Sequence, residues 1–470
     1  QQTPDSAEAL AMIPTLRLSD LDRTVRTLPR HLELHHGAEL LSHDIFTNGI
    51  VYLDLLFEAR SLPVRLLPYL PLYARALTEL GTGRLDYVQL LQEIGSRTGG
   101  IGASPLTGTH IVSREPLGRL VIRAKAVRSR TADLLRILSE ILLDLQLDQP
   151  DRWRRLVQRS RAGRESSLVP SGNAFARRRL AAAVNPADWA EELMSGVESI
   201  FFLRELERRI EQDWPSVLAD LQTVHQTIVN RQGLTVNLTV DGTTAAQILP
   251  ELTAFLAGLP AAPTELQRWQ TLNAPAAQGL IIPAQVNYVA RGVSLLESGL
   301  APDASASAVM RHVNINYLLE KIRIQGGAYG AGGGYDRSSG LFALTSYRDP
   351  HLSRTLDVYA GLADFLRNEH PDAQTVERVA IGAIGDLEPH QLPDARGFSS
   401  LMRHLSGVTD AYRRRIRDEV FATSPASFAA LAPAADLLAR SGRIAVVGSD
   451  ATLRAFAEQQ QPDMELLRVL

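Results

Sequence analysis

The feature that most constrains this chain is an internal repeat. LLQEIGSRTGGIGA (90–103) and LLEKIRIQGGAYGA (318–331) match with a one-residue slip. Each is followed by a strand-like run and then an apolar helix: LVIRAKAVRSRTADLLRILSEIL in the first copy, LFALTSYRDPHLSRTLDVYAGLADFL in the second. Each copy closes strand-then-helix, GLTVNLTVDGTTAAQILPEL against GRIAVVGSDATLRAFAEQ. Two tandem α+β domains of one fold, packed side by side, explain this most economically. The element order favours a mainly antiparallel or mixed sheet with helices packed on one face over a regular βαβ array.

Periodicity divides the chain further. Residues 1–20 are polar and read as a linker or arm. A first domain is expected over 21–258. It opens with strands between His31 and Arg60, where apolar and polar residues alternate. A helix follows, with Leu70, Tyr73, Leu77 and Leu80 on one face and Gly81 at its C-terminal stop. Asp86 can cap the next helix. An Arg-rich helical insertion fills about 150 to 230. Residues 259–278, rich in Pro, Ala and polar side chains, read as an interdomain linker. A second domain is expected over 279–470, its first strand around Gln285 to Ala290.

A chain of 470 residues is too long for one core. The net charge of -3 gives no global electrostatic reason to expect nucleic acid or an anionic membrane as partner. The basic charge is nearly all arginine, Lys125 and Lys321 being the only lysines, and coding bias explains that better than function does. Without cysteine there are no disulfides, thiol nucleophiles or thiolate metal sites. That suits a reducing compartment, and a bacterial cytoplasmic location is the expectation. No apolar run reaches 18 residues, so no membrane span is expected. The opening QQTPDSAEAL lacks a signal-peptide pattern and reads like an internal loop, which suggests a processed chain or a fragment.

Histidines cluster near the N-terminus: His31, His35, His36 and His43, with Glu33 and Glu39. An inverted zinc motif needs H-x-x-E-H on a helix. His36 to Glu39 supplies four positions, but the fifth is Leu40. On a strand, His31 and His35 share a face about 13 Å apart, too far to hold one ion. No metal ligand is assigned here. Glycines 326, 327, 330, 332, 333 and 334 follow a helix and lead into a strand, the wrong order for a phosphate cradle. They suit close backbone approach or a free strand edge, which can accept an extended peptide. Arg323 and Tyr329 are six residues apart, so an extended backbone would put both on one face. The first copy has Gly95 and Ile101 there. An arginine and a phenol in one cavity can bind a peptide carbonyl and stabilise the oxyanion formed on it; a surface arginine and a packed tyrosine is the alternative. Asp349-Pro350 reads as a helix cap with proline at the first helical position.

Three ordered stretches carry a resemblance. VNINYLLEKIRIQGGAYGAGGGYDRSSGLFALTSYRDPHLSRTLDVYAGLADFL (313–366) resembles the final domain of presequence proteases, a branch of the pitrilysin-type zinc metallopeptidases. IGAIGDLEPHQLPDARGFSSLMRHLSGVTD (381–410) is similar to the next hallmark of that branch, and HDIFTNGIVYLDLLFEARSLP (43–63) to the start of its third domain. The resemblance implies a clamshell of four α+β domains, of which this chain supplies the third and fourth. It implies that zinc is bound by an N-terminal half, not by this chain, and that peptide is the substrate. It also implies that Arg323 and Tyr329 enter the active site, with Gly326, Gly327 and Ala328 binding substrate. The chain would be inactive alone. A catalytically silent scaffold or peptide-binding subunit of the same fold is the alternative.

Overall fold

The computed structural model describes residue 12 and residues 15–470; most of the arm expected over 1–20 lies outside the described residues. Two six-stranded sheets organise the chain. The first contains β1 (His31–His35), β2 (Ala38–Asp44), β3 (Ile50–Glu58), β4 (Ile101–Thr109), β5 (Pro116–Val127) and β6 (Thr235–Val240), in the order β1-β2-β6-β3-β5-β4. The second contains β7 (Ala277–Ile281), β8 (Tyr288–Ser294), β9 (Gly330–Tyr335), β10 (Leu341–Tyr347), β11 (Arg443–Gly448) and β12 (Glu465–Arg468), in the order β12-β7-β11-β8-β10-β9. Five neighbouring strands correspond in order and sense. The parallel pair β2·β6 matches β7·β11. The antiparallel run β6·β3·β5·β4 matches β11·β8·β10·β9. Only the outermost strand differs: β1 is the antiparallel hairpin partner of β2, whereas β12 arrives from the C-terminus, parallel to β7.

Local chemistry explains many boundaries. His36 and Gly37 turn the β1–β2 hairpin with φ of 52° and 89°, the left-handed pair that a two-residue loop requires. Asp86 caps the helix Tyr87–Arg97 in a capping box with Gln89. Five helices occupy Pro150 to Ile228. Two expectations need correction. Residues 259–276 carry no helix or strand, but β7 begins at Ala277, inside the expected linker. AQGLI is buried on both faces, so it lacks the alternation that marks a half-exposed strand. Pro350 does not open a helix, which starts only at Ser353. Asp349 is instead buried, accepting from the His351 N–H at 2.9 Å and the Thr355 hydroxyl at 2.6 Å.

Alternation along the strands sends two faces to different partners. Val51, Leu53, Leu55 and Phe57 of β3 join the core formed with their own unit's helices. Leu56, with Leu41 and Val121, meets Leu401 on the helix Pro393–Leu405 of the second unit. The exchange is reciprocal. The helix Gly172–Ala182 of the first unit lays Phe175, Ala176 and Leu180 against Tyr288, Ala290 and Ala445 of the second sheet. Glycine permits both approaches: a Cβ on Gly172 would stand 2.3 Å from the Tyr288 ring, and one on Gly397 would stand 1.8 Å from Thr239 Oγ1. Each sheet thus packs its own helices on one face and borrows a helix for the other.

Candidate active-site surface

Arg323 lies at the end of a continuous helical rod. The helix Ser305–His312 runs into a π-wound stretch, Val313–Ile324. The wide winding persists to its end, where Gln325 N–H bonds the Glu320 carbonyl five residues back at 3.0 Å. π-Turns recur near functional sites because they displace side chains from ordinary helical positions. The chain then reverses. Gly327 takes φ +78° and returns its N–H to the Arg323 carbonyl at 2.9 Å, while Ala328 N–H bonds the Ile322 carbonyl at 3.1 Å. Gly326 is buried so closely that a Cβ there would stand 2.5 Å from the Ile322 carbonyl oxygen. Ala328 is buried as well.

R-I-Q-G-G-A-Y is therefore a helix end and a reversal, which corrects the extended-backbone reading of the six-residue spacing. The two side chains still meet, for a different reason. The reversal folds Tyr329 back under the helix end, and the Arg323 guanidinium carbon lies 5.7 Å from its ring centroid. Tyr329 is 65% exposed. Among the described residues, the Arg323 guanidinium has no carboxylate or hydrogen-bond partner. A free cation beside a free phenol is an arrangement able to hydrogen-bond a peptide backbone and an oxyanion.

Sequence reasoning missed what supports this pair. Tyr329 N–H bonds the carbonyls of Tyr347 at 3.1 Å and Arg348 at 3.4 Å. Its ring meets Tyr347 edge-on, centroids 5.6 Å apart. Tyr347 in turn packs 5.6 Å from Tyr288, whose hydroxyl donates to the Val169 carbonyl of the first unit. Burial, with the Tyr347 hydroxyl nearby, raises the Tyr288 pKa, and the Arg348 guanidinium pulls it back. The surface is thus fixed where the two units join. The signal lay in strand register: Tyr347 pairs with Gly330, the residue after Tyr329.

The glycine-rich strand is also less open than expected. β9 is an edge strand, but Asn314 on the π-wound stretch takes the Gly333 N–H at 2.8 Å and donates to its carbonyl at 3.2 Å. A side-chain amide thereby occupies the middle of the edge, where an added strand would need the same groups.

The N-terminal histidines do not assemble a metal site. His31 and His35 stand at opposite ends of β1, and His36 serves the turn. His43 is buried, with Nε2 3.0 Å from Asn237 Oδ1 and Nδ1 3.4 Å from the Pro29 carbonyl; burial lowers its pKa. Among the described residues, no group of three or more His, Cys, Asp or Glu side chains could hold a metal ion. These residues do not fit zinc. No described helix is long and apolar enough to cross a membrane.

Comparison with known proteins places this architecture. Two family models match in succession: a domain associated with subfamily C of the M16 peptidases over residues 1–206, and the "PreP C-terminal domain" over residues 277–450. A chloroplastic/mitochondrial presequence protease of Arabidopsis thaliana is 36% identical across 100% of this chain, which covers 44% of that protein. The chain belongs to the M16 peptidases, as the C-terminal half of a presequence-protease-like member. Protein HypA of Clostridium perfringens is 26% identical over 97% of the chain and 46% of its own length. This M16 half therefore spans less than half of these relatives. The fold also matches a peptidase M16 inactive domain from Pseudomonas fluorescens, with TM-score 0.65, 16% identity, and 90% and 98% of the two chains covered. The periplasmic protease PqqL of Escherichia coli matches with TM-score 0.59 and 13% identity, over 91% of this chain and 48% of that one.

Proposed function

We propose that this M16 half is the substrate-binding, zinc-free part of a zinc-dependent endopeptidase that degrades unstructured oligopeptides. In this reading zinc belongs to an N-terminal half, from the same precursor or a separate chain, and the chain alone does not hydrolyse peptides. Its own contribution is made by Arg323 and Tyr329. The Arg323 guanidinium holds a substrate carbonyl and the Tyr329 hydroxyl donates to the oxyanion that develops next to it. The reversal through Gly326, Gly327 and Ala328 brings the two together, and the exposed Gly327 backbone faces the substrate. The observation that carries the reading is the convergence of an exposed tyrosine and an arginine without a carboxylate partner among the described residues, the guanidinium carbon 5.7 Å from the ring centroid.

The test is Tyr329→Phe in the enzyme assembled with a zinc-bearing half. Loss of one oxyanion donor lowers kcat by about two to three orders of magnitude, with less effect on KM. Unchanged hydrolysis of an unstructured peptide would sink the assignment and favour the silent scaffold.

A further inference from the structure

Arg348 combines three properties that its place at the end of a strand does not require. Its φ is 49°, in the left-handed region that residues with a Cβ avoid. Among the described residues only His36, Asn48 and Arg114 share that property without being glycine, and the first two sit in tight turns. Its side chain is exposed, and the guanidinium carbon lies 5.5 Å from the Tyr347 ring centroid. Its guanidinium lies near enough to the Tyr288 hydroxyl to pull that group's pKa down, and no carboxylate pairs with it among the described residues.

The strained backbone has a local cause. The next residue, Asp349, is locked inward: its N–H and carbonyl pair with Asn287, N to O 2.8 Å in each direction, and its carboxylate holds His351 and Thr355. The left-handed turn at Arg348 lets the chain bury Asp349 while the Arg348 side chain stays on the outer surface. Strain of this kind persists where the surroundings over-determine it, and it clusters at sites that use the residue. The outward side chain lands on the row that begins with Arg323. Arg323 lies over Tyr329, Tyr329 meets Tyr347 edge-on, and Arg348 lies over Tyr347. Two guanidinium groups without a carboxylate partner among the described residues thus flank two tyrosine rings.

We propose that Arg348 is a specificity-determining residue of this surface, binding a carboxylate of the peptide substrate while Arg323 and Tyr329 engage the scissile region. The proposal rests on the peptidase reading above. A guanidinium seated over the Tyr347 ring offers its N–H groups to a carboxylate in the fork geometry that arginine favours. The carboxylate is a Glu or Asp side chain, or the C-terminus of a short peptide.

The experiment uses the enzyme assembled from both halves and a matched set of fluorogenic peptides. One is uncharged and C-terminally amidated, one carries a single Glu, and one has a free C-terminus. Arg348→Gly and Arg348→Asn remove the cation, and both residues tolerate the left-handed backbone. Arg348→Lys keeps the charge. The expected result is that the kcat/KM ratio of a carboxylate-bearing peptide to the neutral one falls about tenfold in the Gly and Asn variants, mostly through KM. Lysine restores part of it. A fall confined to the Glu peptide assigns the side chain, and one confined to the free acid assigns the C-terminus. An unchanged ratio, or equal losses on all three peptides, overturns the proposal. If the unaltered enzyme cleaves the neutral peptide but Tyr329→Phe does not slow it, the peptidase reading of this surface fails first, whatever Arg348 does.

Discussion

Glu192→Gln should abolish a specific slope in the pH dependence of stability. Glu192 is fully buried at the seam between the units. Its Oε1 accepts the Val197 N–H at 2.8 Å and faces Arg179 Nη1 at 3.3 Å. Its Oε2 has no partner among the described residues and lies against Gly196, where a Cβ would come within 1.7 Å. Burial pushes its pKa from 4.5 up to about 7, against the pull of Arg179, Arg178 and two backbone N–H groups. The folded state therefore holds the proton after the unfolded chain has released it. Stability from this group is fully present below about pH 4.5 and is lost as pH rises through about 7. The difference between the two pKa values is worth about 3 kcal/mol. Glutamine is neutral throughout and keeps an oxygen for Val197. Equilibrium urea unfolding of both proteins at intervals from about pH 4 to about pH 8 gives the comparison. The unaltered chain should lose about 3 kcal/mol relative to the variant across that range. Other groups titrate in both proteins and cancel in the difference, among them Asp188, which burial pushes up to about 6. Two parallel stability curves would refute the reasoning.

Other consequences follow from single contacts. Gly397→Ala should cost about 1–3 kcal/mol by driving the borrowed helix off β6, read as a drop in the urea midpoint with little change in slope. His36→Asn should change stability by less than about 0.5 kcal/mol and leave peptide hydrolysis intact, because asparagine suits the left-handed first position of the β1–β2 turn; a large loss of activity would reopen a ligand role for His36. Asn237→Ala removes a donor from the buried Asp54 carboxylate, 2.9 Å away, and an acceptor from His43. It should destabilise the first unit by about 1–3 kcal/mol in the same assay.

Where the sequence was legible, a local rule decided the outcome. The repeat showed because both copies need the same glycine-bearing passage from a helix into an edge strand, at Gly100 and at Gly327. Asp86 and Gly81 announced a helix start and a helix stop, and the structure has both. β7 was missed because a strand covered on both faces has no alternation to read, and small residues there look like linker. The helix exchange between the units was invisible for a related reason. Leu401 and Phe175 are ordinary apolar helix positions, and nothing local says which sheet they will cover.

The Arg323–Tyr329 pair shows how a correct partnership can follow from a wrong backbone. Parity of spacing argued that two residues six apart share a strand face. The same two residues converge because a π-wound helix ends at Ile324, Gly327 takes a left-handed φ, and the chain doubles back. The distinction changes what a substitution does. On a strand, Gly327→Ala would be nearly neutral for the pair. In the reversal it forces a Cβ onto φ +78° with no steric clash to blame, since the nearest atom, Pro350 Cγ, is 3.8 Å away. The cost is then conformational, about 1 kcal/mol. It would be relieved by letting the reversal open, which separates the guanidinium from the ring. Gly327→Ala should accordingly lower kcat of the assembled enzyme while barely moving the unfolding midpoint, and Gly327→Asn, whose side chain tolerates the left-handed region, should recover part of the loss. Equal activity of the glycine and alanine forms would mean that the reversal does not hold the pair together.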